Sequence, residues 1–223
     1  RRALRRLGAR RVPTCRVPVI YEAPVASSLL GHFISAISGG ALYRKASFLL
    51  DHLDKKIFPE FVRIHEQPLI MGGMGSAAFD GEGVATSARD IVSDGILRGY
   101  VLGSYSARRL ELQTTGNAGG VHNLTIDTGD QNLEQMISGI DEGFLVTELI
   151  GFGINNVTGD YSRGAAGLWI ENGEIAYPVE EVTVAGNLKD IFQNIAAIGN
   201  DVDPRRSTRC GSILVEGLTI AGD

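Results

Sequence analysis

The sequence lacks most of the side-chain sets from which hydrolytic and redox sites are made. Four histidines, His32, His52, His65 and His122, are spread over 223 residues. No two of them stand at the spacing of His-x-x-x-His or His-Glu-x-x-His. The stretch IHEQPLI (64–70) opens like a zinc motif, but no second histidine follows and Pro68 would interrupt a helix. His65 and Glu66 read instead as strand residues, one of them turned to solvent. The two cysteines, Cys15 and Cys210, form no Cys-x-x-Cys and no disulfide framework; they read as reduced thiols of a cytoplasmic protein. A Gly-x-Ser-x-Gly elbow and a Walker loop are both missing. No stretch of 18 apolar residues occurs, so no membrane-spanning helix is expected.

Acids are also absent before Glu22, while the segment RRALRRLGARRVPTCR (1–16) carries seven arginines. It has neither the apolar core nor the small-residue cleavage site of a signal peptide. Ala3, Leu4 and Leu7 are spaced like the end of an amphipathic helix, and the chain does not open with Met. It reads as the C-terminal part of a longer protein. Setting those seven arginines aside leaves 14 of the 21 basic residues against 26 acids, a balance of −12. Such a body offers nucleic acid no broad basic face.

What is present is enough apolar sequence, 43%, to bury a sizeable core, and 29 glycines that imply many turns and strand ends. VPVIYE (17–22) reads as a short buried strand. Val25, Leu29, Phe33 and Ile37 then recur every fourth residue, with Leu30 and Ile34 beside them, which predicts an amphipathic helix over 24–38 ended by Gly39-Gly40. His32 falls at the margin of its apolar arc, and Ser27, Ser28, Gly31 and Ser35 form a small-residue face. From residue 61 the period changes to two. Asp94-Gly95 and Asn172-Gly173 each sit between alternating runs, a strong hairpin signal. Further strands are expected over 61–66, 144–154 and 212–222, with short helices over 104–110, 132–140 and 187–195. The pattern implies an α+β fold with a large, mostly antiparallel, barrel-like sheet. Three segments follow: 1–22 as a helix end and strand, 23–60 containing the amphipathic helix, and 61–223 as mainly antiparallel β-structure.

Two segments could meet a ligand. GNAGGVHN (116–123) is a weak phosphate cradle and reads better as a bare-backbone loop, with His122 available for hydrogen bonding. TGDYSRGAAG (158–167) reads first as a turn with an Asp160–Arg163 pair. Its functional alternative is that Arg163 fixes a carboxylate, or that an open strand edge takes an extended peptide. Gly119, Gly120, Gly164, Ala165 and Ala166 would leave the backbone open to close approach.

Long stretches resemble the PmbA (TldE) branch of the TldD/PmbA metallopeptidase family: VTGDYSRGAAGLWIENGEIAYPVEEVTVAGNLKDIFQNIAAIGND (157–201), SYSARRLELQTTGNAGGVHN (104–123), AISGGALYRKASFLLD (36–51) and CGSILVEGLTIAG (210–222). The resemblance covers nearly the whole chain. It implies the C-terminal half of the family fold, and a cytoplasmic heterodimer with a TldD-like subunit that degrades or processes short or unfolded peptides. Zinc is expected in that partner, on a His-Glu-x-x-x-His helix with a cysteine as a further ligand, and none in this chain. Older names for the family mention modulation of DNA gyrase, but no nucleic-acid motif stands here.

Matching GGALYRK to the family pattern places the zinc motif on GHFISA (31–36). Gly31 and Ala36 then occupy the ligand positions and His32 the position of the catalytic glutamate, so the motif looks degenerate. Cys210 matches the cysteine position. The resemblance therefore implies a non-catalytic partner that completes a peptide-binding chamber, its peptide-facing residues expected among Gly119, Gly120, His122, Asp160, Arg163, Gly164 and Ala165. The alternative is a metallopeptidase acting alone, with zinc on His32, Cys210 and one further residue.

Overall fold

The computed structural model describes residues 3–222; Arg1, Arg2 and Asp223 lie outside the described residues. Ten strands and five short helices follow a 3-10 turn at Ala3–Arg6. Leu4 and Leu7 are both largely exposed. Three arginines of this arm are bound to the protein's own surface. Arg6 pairs with Glu148, Arg11 with Glu181, and Arg10 lies over the Tyr177 ring at 4.7 Å.

Strand β1 (Cys15–Tyr21) runs parallel to β6 (Glu142–Ile150) and antiparallel to β10 (Ile213–Ala221). The remaining order continues through β7 (Asp160–Glu171) and β8 (Glu174–Asn187) back to β10. Five strands thus close on themselves, and β9 (Ile195–Ile198) lies alongside β10. The alternation of strand side chains feeds two cores. Val19, Tyr21, Phe144, Val146 and Trp169 join the main cluster, while Ile20, Leu145, Leu168 and Ile170 pack with Met136, Ile137 and Ile140 in a smaller one. Met136 and Ile137 lie on α4 (Leu133–Ser138), which opens with a capping box between Asn132 and Gln135. A second sheet, all antiparallel, has β5 (Leu124–Ile126) beside β2 (Ile64–Glu66), then β3 (Arg89–Ser93) and β4 (Ile96–Leu97). Residues from 1–22, 23–60 and 61–223 all enter the main cluster.

Both expected hairpins form. Asp94 and Gly95 adopt φ of 54° and 71°, and Asn172 and Gly173 51° and 78°, the left-handed pair that a two-residue turn requires. Helix α1 spans Ala23–Ala36, with Pro24 in its first turn. Leu29, Phe33 and Ile37 are buried, whereas Val25 is only half-buried. The Phe33 ring meets Phe58 and Phe192 edge-on at 5.2 and 5.9 Å.

One expectation fails here. Gly39-Gly40 does not end α1; it begins a second helix, α2 (Gly39–Tyr43), after Ser38 bridges to Val101. Gly39 is needed for clearance, because a Cβ there would lie 2.2 Å from the Ser106 hydroxyl of α3 (Ser104–Arg109). The last helix, α5 (Leu188–Gln193), follows β8 directly and is capped by Asn187.

Candidate functional site

Helix α1 buries its apolar side and leaves Gly31 and Ser35 exposed. A concavity opens at each end of this face. At the N-terminal end, Ser27 and Ser28 border a groove of about 730 Å³ that is completed by Thr147, Arg163 and the loop Arg205–Thr208. At the other end, Ile34 and Ser35 border a space of about 550 Å³ with Gly39, Gly119 and Gly120. Gly31 lies between them, and a Cβ added there would meet nothing within 4 Å.

His32 and Arg163 come together behind this face. The His32 ring lies edge-on to Tyr161 at 6.0 Å, and its Nε2 is enclosed without a hydrogen-bond partner. Burial, and then the Arg163 charge, push the imidazole below its ordinary value, so His32 is neutral at pH 7. Burial likewise pushes the phenols of Tyr21 and Tyr161 up. Arg163 is half-buried, with its Nε enclosed and unpartnered.

A zinc ion does not fit the residues at the matched positions. Gly31 and Ala36 carry no donor side chain, and the Ala36 carbonyl already accepts from Ser47 Oγ at 2.6 Å. Cys210 is 1% exposed, with its sulfur 3.7 Å from the carbonyl of Ala23, the first residue of α1, whereas Ala36 is the last. Burial, followed by the charges of Asp201 and Asp203, pushes the thiol up to about 12, although a metal requires the thiolate. No three His, Cys, Asp or Glu side chains among the described residues are grouped to hold a metal ion.

The two glycine-bearing segments are held differently. Loop 116–123 is organised by Glu66, which is 1% exposed. The Glu66 carboxylate accepts from Arg89 Nε at 2.7 Å, from Asn117 Nδ2 at 3.0 and 3.1 Å, and from the His122 backbone N–H at 3.0 Å. Neither residue of the His65–Glu66 pair is turned to solvent, since His65 is half-buried and its Nε2 lies 3.1 Å from Asp127. The His122 ring is also directed inward, 3.7 Å from Glu66. Gly119 and Gly120 remain open, with φ of 108° and 122°, and a Cβ added at either would meet nothing within 4 Å.

Segment 158–167 offers no open edge. From Asp160 onward it is strand β7, paired along one side to β8; on the other side residues 160–162 meet residues 153–155 and the strand pairs with β6 from Gly164 on, so that Gly164 lies between Ile150 and Thr183, and Ala165 between Leu149 and Val182. Ala165 and Ala166 are buried. Asp160 does not pair with Arg163: it accepts from Thr158 at 2.6 Å and from Asn187 at 3.3 Å. Of this segment only Arg163 reaches the groove. Arg205 and Arg206, which also line it, were not expected from the sequence, although two adjacent arginines in so acidic a body are a visible signal.

Comparison with known proteins agrees with this architecture. The family model of the PmbA/TldA metallopeptidase C-terminal domain matches residues 14–222. The chain is 51% identical over 222 residues to metalloprotease PmbA of Escherichia coli O157:H7, covering 100% of this chain and 49% of that protein. It is 45% identical over 226 residues to the PmbA homolog of Haemophilus influenzae, covering 100% and 50%. Thus the chain spans about half the length of the curated relatives it matches. Among solved structures, one from Bacteroides thetaiotaomicron superposes with a TM-score of 0.95 at 36% identity, covering 100% of this chain and 50% of that one. TldE from Thermococcus kodakarensis superposes at 0.86 with 25% identity, covering 98% and 53%. By its family-model match, its sequence identity to the PmbA relatives and its fold, this chain belongs to the PmbA/TldD metallopeptidase family, as a C-terminal half of the PmbA/TldE kind.

Proposed function

We propose that this chain is part of a non-catalytic subunit that pairs with a zinc-bearing, TldD-like subunit in the cytoplasm and forms one wall of the chamber in which short or unfolded peptides are cleaved. The observation that carries this reading is α1 itself. At the positions where the family resemblance puts metal ligands it has Gly31 and Ala36, yet the exposed side of the helix is bordered by two grooves lined with hydroxyls, glycine backbone and arginine. Such surroundings suit a main chain lacking defined side chains better than they suit hydrolysis by this subunit. The relatives' designation as metalloproteases fits a role in peptide-bond hydrolysis at the level of the assembly.

The test is the metal content and peptidase activity of the full-length chain, alone and with a TldD-like partner. Stoichiometric zinc and cleavage of an unfolded peptide are expected only when the partner is present. About one tightly held zinc per isolated chain, lost on Cys210→Ser, would replace this reading with a metallopeptidase acting alone.

A further inference from the structure

The groove at the N-terminal end of α1 holds positive charge that the fold does not use. Four of the charges around it are already matched. Arg205 binds Asp203 through Nε at 2.7 Å and Nη2 at 2.8 Å, and Glu148 is turned to Arg6. Arg163 and Arg206 enter no ion pair among the described residues. Arg163 has its Nε enclosed and unpartnered, while Arg206 reaches only the Ser27 hydroxyl, at 3.3 Å. The two guanidinium groups come from different walls, Arg163 from β7 and Arg206 from the loop after β9, and the hydroxyls of Ser28 and Thr208 line the same groove. The positive end of the 14-residue helix α1 lies on the same rim. Two guanidinium groups on one groove, neither within ion-pair distance of a carboxylate among the described residues, favour an anion there.

We infer that this groove binds a peptide carboxylate, the free C-terminal one, between Arg163 and Arg206. The inference rests on the chamber reading above and specifies how that chamber takes hold of its substrate. A terminal carboxylate is present on every short peptide whatever its side chains. It is also planar and matched to the fork of a guanidinium. Capture at this point would fix the position of the peptide end while leaving the sequence upstream unread.

The experiment uses the full-length protein with its TldD-like partner and three fluorescent tetra-alanine probes: the free acid, its C-terminal amide, and an amide in which one alanine is glutamate. Fluorescence anisotropy should show the free acid binding at least about tenfold more tightly than the plain amide, the loss expected for one charge-assisted pair. Arg163→Gln should abolish that preference, and Arg163→Lys should retain part of it. Arg206→Gln, in an exposed loop where folding is not at stake, should reduce it several-fold. Tight binding of the glutamate amide would keep the carboxylate site and extend it to acidic side chains. Equal binding of acid and plain amide, or a preference that survives both glutamine variants, overturns the inference and leaves the chamber reading standing. Failure of all three probes to bind overturns both.

Discussion

Loop 116–123 and strand segment 158–167 are similarly rich in small residues, and both border α1, but the small residues serve opposite purposes. In the loop they supply conformation. Gly119 and Gly120 take φ values that suit glycine, in open space, and the chain is tied down by side chains that converge on Glu66 from 23 and 51 residues away. In the strand they supply clearance. A Cβ at Gly167 would lie 2.0 Å from the Leu145 carbonyl, and Ala165 is packed on a ladder bonded along both sides. A glycine-rich stretch therefore does not by itself mean exposed backbone; here one segment is a polar-anchored loop and the other is the middle of a closed sheet.

Removing the anchor of the loop should have the largest effect. Glu66→Ala leaves the largely buried guanidinium of Arg89 without its carboxylate and takes one acceptor from Asn117, and should cost about 3–5 kcal/mol in equilibrium unfolding. Hydrogen exchange should then quicken at 116–123 well before it does at 160–171; uniform quickening would mean that the two segments are not held independently.

Enlarging the small residues should separate their roles. Ala165→Leu forces extra volume into a packed ladder and should cost about 1–3 kcal/mol of global stability. Gly120→Ala meets no neighbour, so its cost, about 1–2 kcal/mol, should come only from the positive φ. The two can be told apart by hydrogen exchange, which should quicken across β6–β8 in the first variant and only around 116–123 in the second. Under the proposed function, peptide cleavage by the complex with a TldD-like partner tests whether either segment lines the chamber; with Ala165 buried in the ladder, Gly120 is the informative position.

The smallest effect is expected at His32, between the two segments. Burial and Arg163 hold its folded-state value below the ordinary 6.5, so the unfolded chain takes up the proton first. Its contribution is complete above about pH 6.5 and is lost as the pH falls below that value. His32→Gln should change stability at pH 8 by less than about 1 kcal/mol and flatten the decline between pH 6.5 and the folded-state value. A decline of unchanged slope in the variant would place the titrating group elsewhere.

How much of this could be read from the sequence follows from how local each cause is. Asp94-Gly95 and Asn172-Gly173 specify their turns with two residues, and the fourfold recurrence of Leu29, Phe33 and Ile37 specifies the buried side of α1, so these features were legible. The end of α1 was not. Gly39 looks like a helix terminator, but its role is to let α2 approach Ser106, a residue on another helix. Glu66 was not legible as a buried anion because its partners lie on two other segments, β3 and loop 116–123. The same is true of β7: alternation and small side chains indicate a strand, but not whether its edges are occupied. At the candidate site, Gly31, His32 and Ala36 could be placed by resemblance and Arg163 by its setting, whereas the pairing of Arg163 with Arg206 across a groove depends on a loop more than 40 residues away.

The closed sheet also sets the order in which this chain can fold. Its seam is the pairing of β1 with β10, which puts Cys15 opposite Ile220 and Tyr21 opposite Ile213. Contacts separated by about 200 residues are slow to form, because nearly the entire chain must be gathered before they are rewarded. During synthesis, Val17, Val19, Ile20 and Tyr21 are made well before their antiparallel neighbour on β10. Until β10 is made, β1 has only β6 to pair with, through Val19, Ile20 and Tyr21, and its other edge stays open to pairing with another molecule.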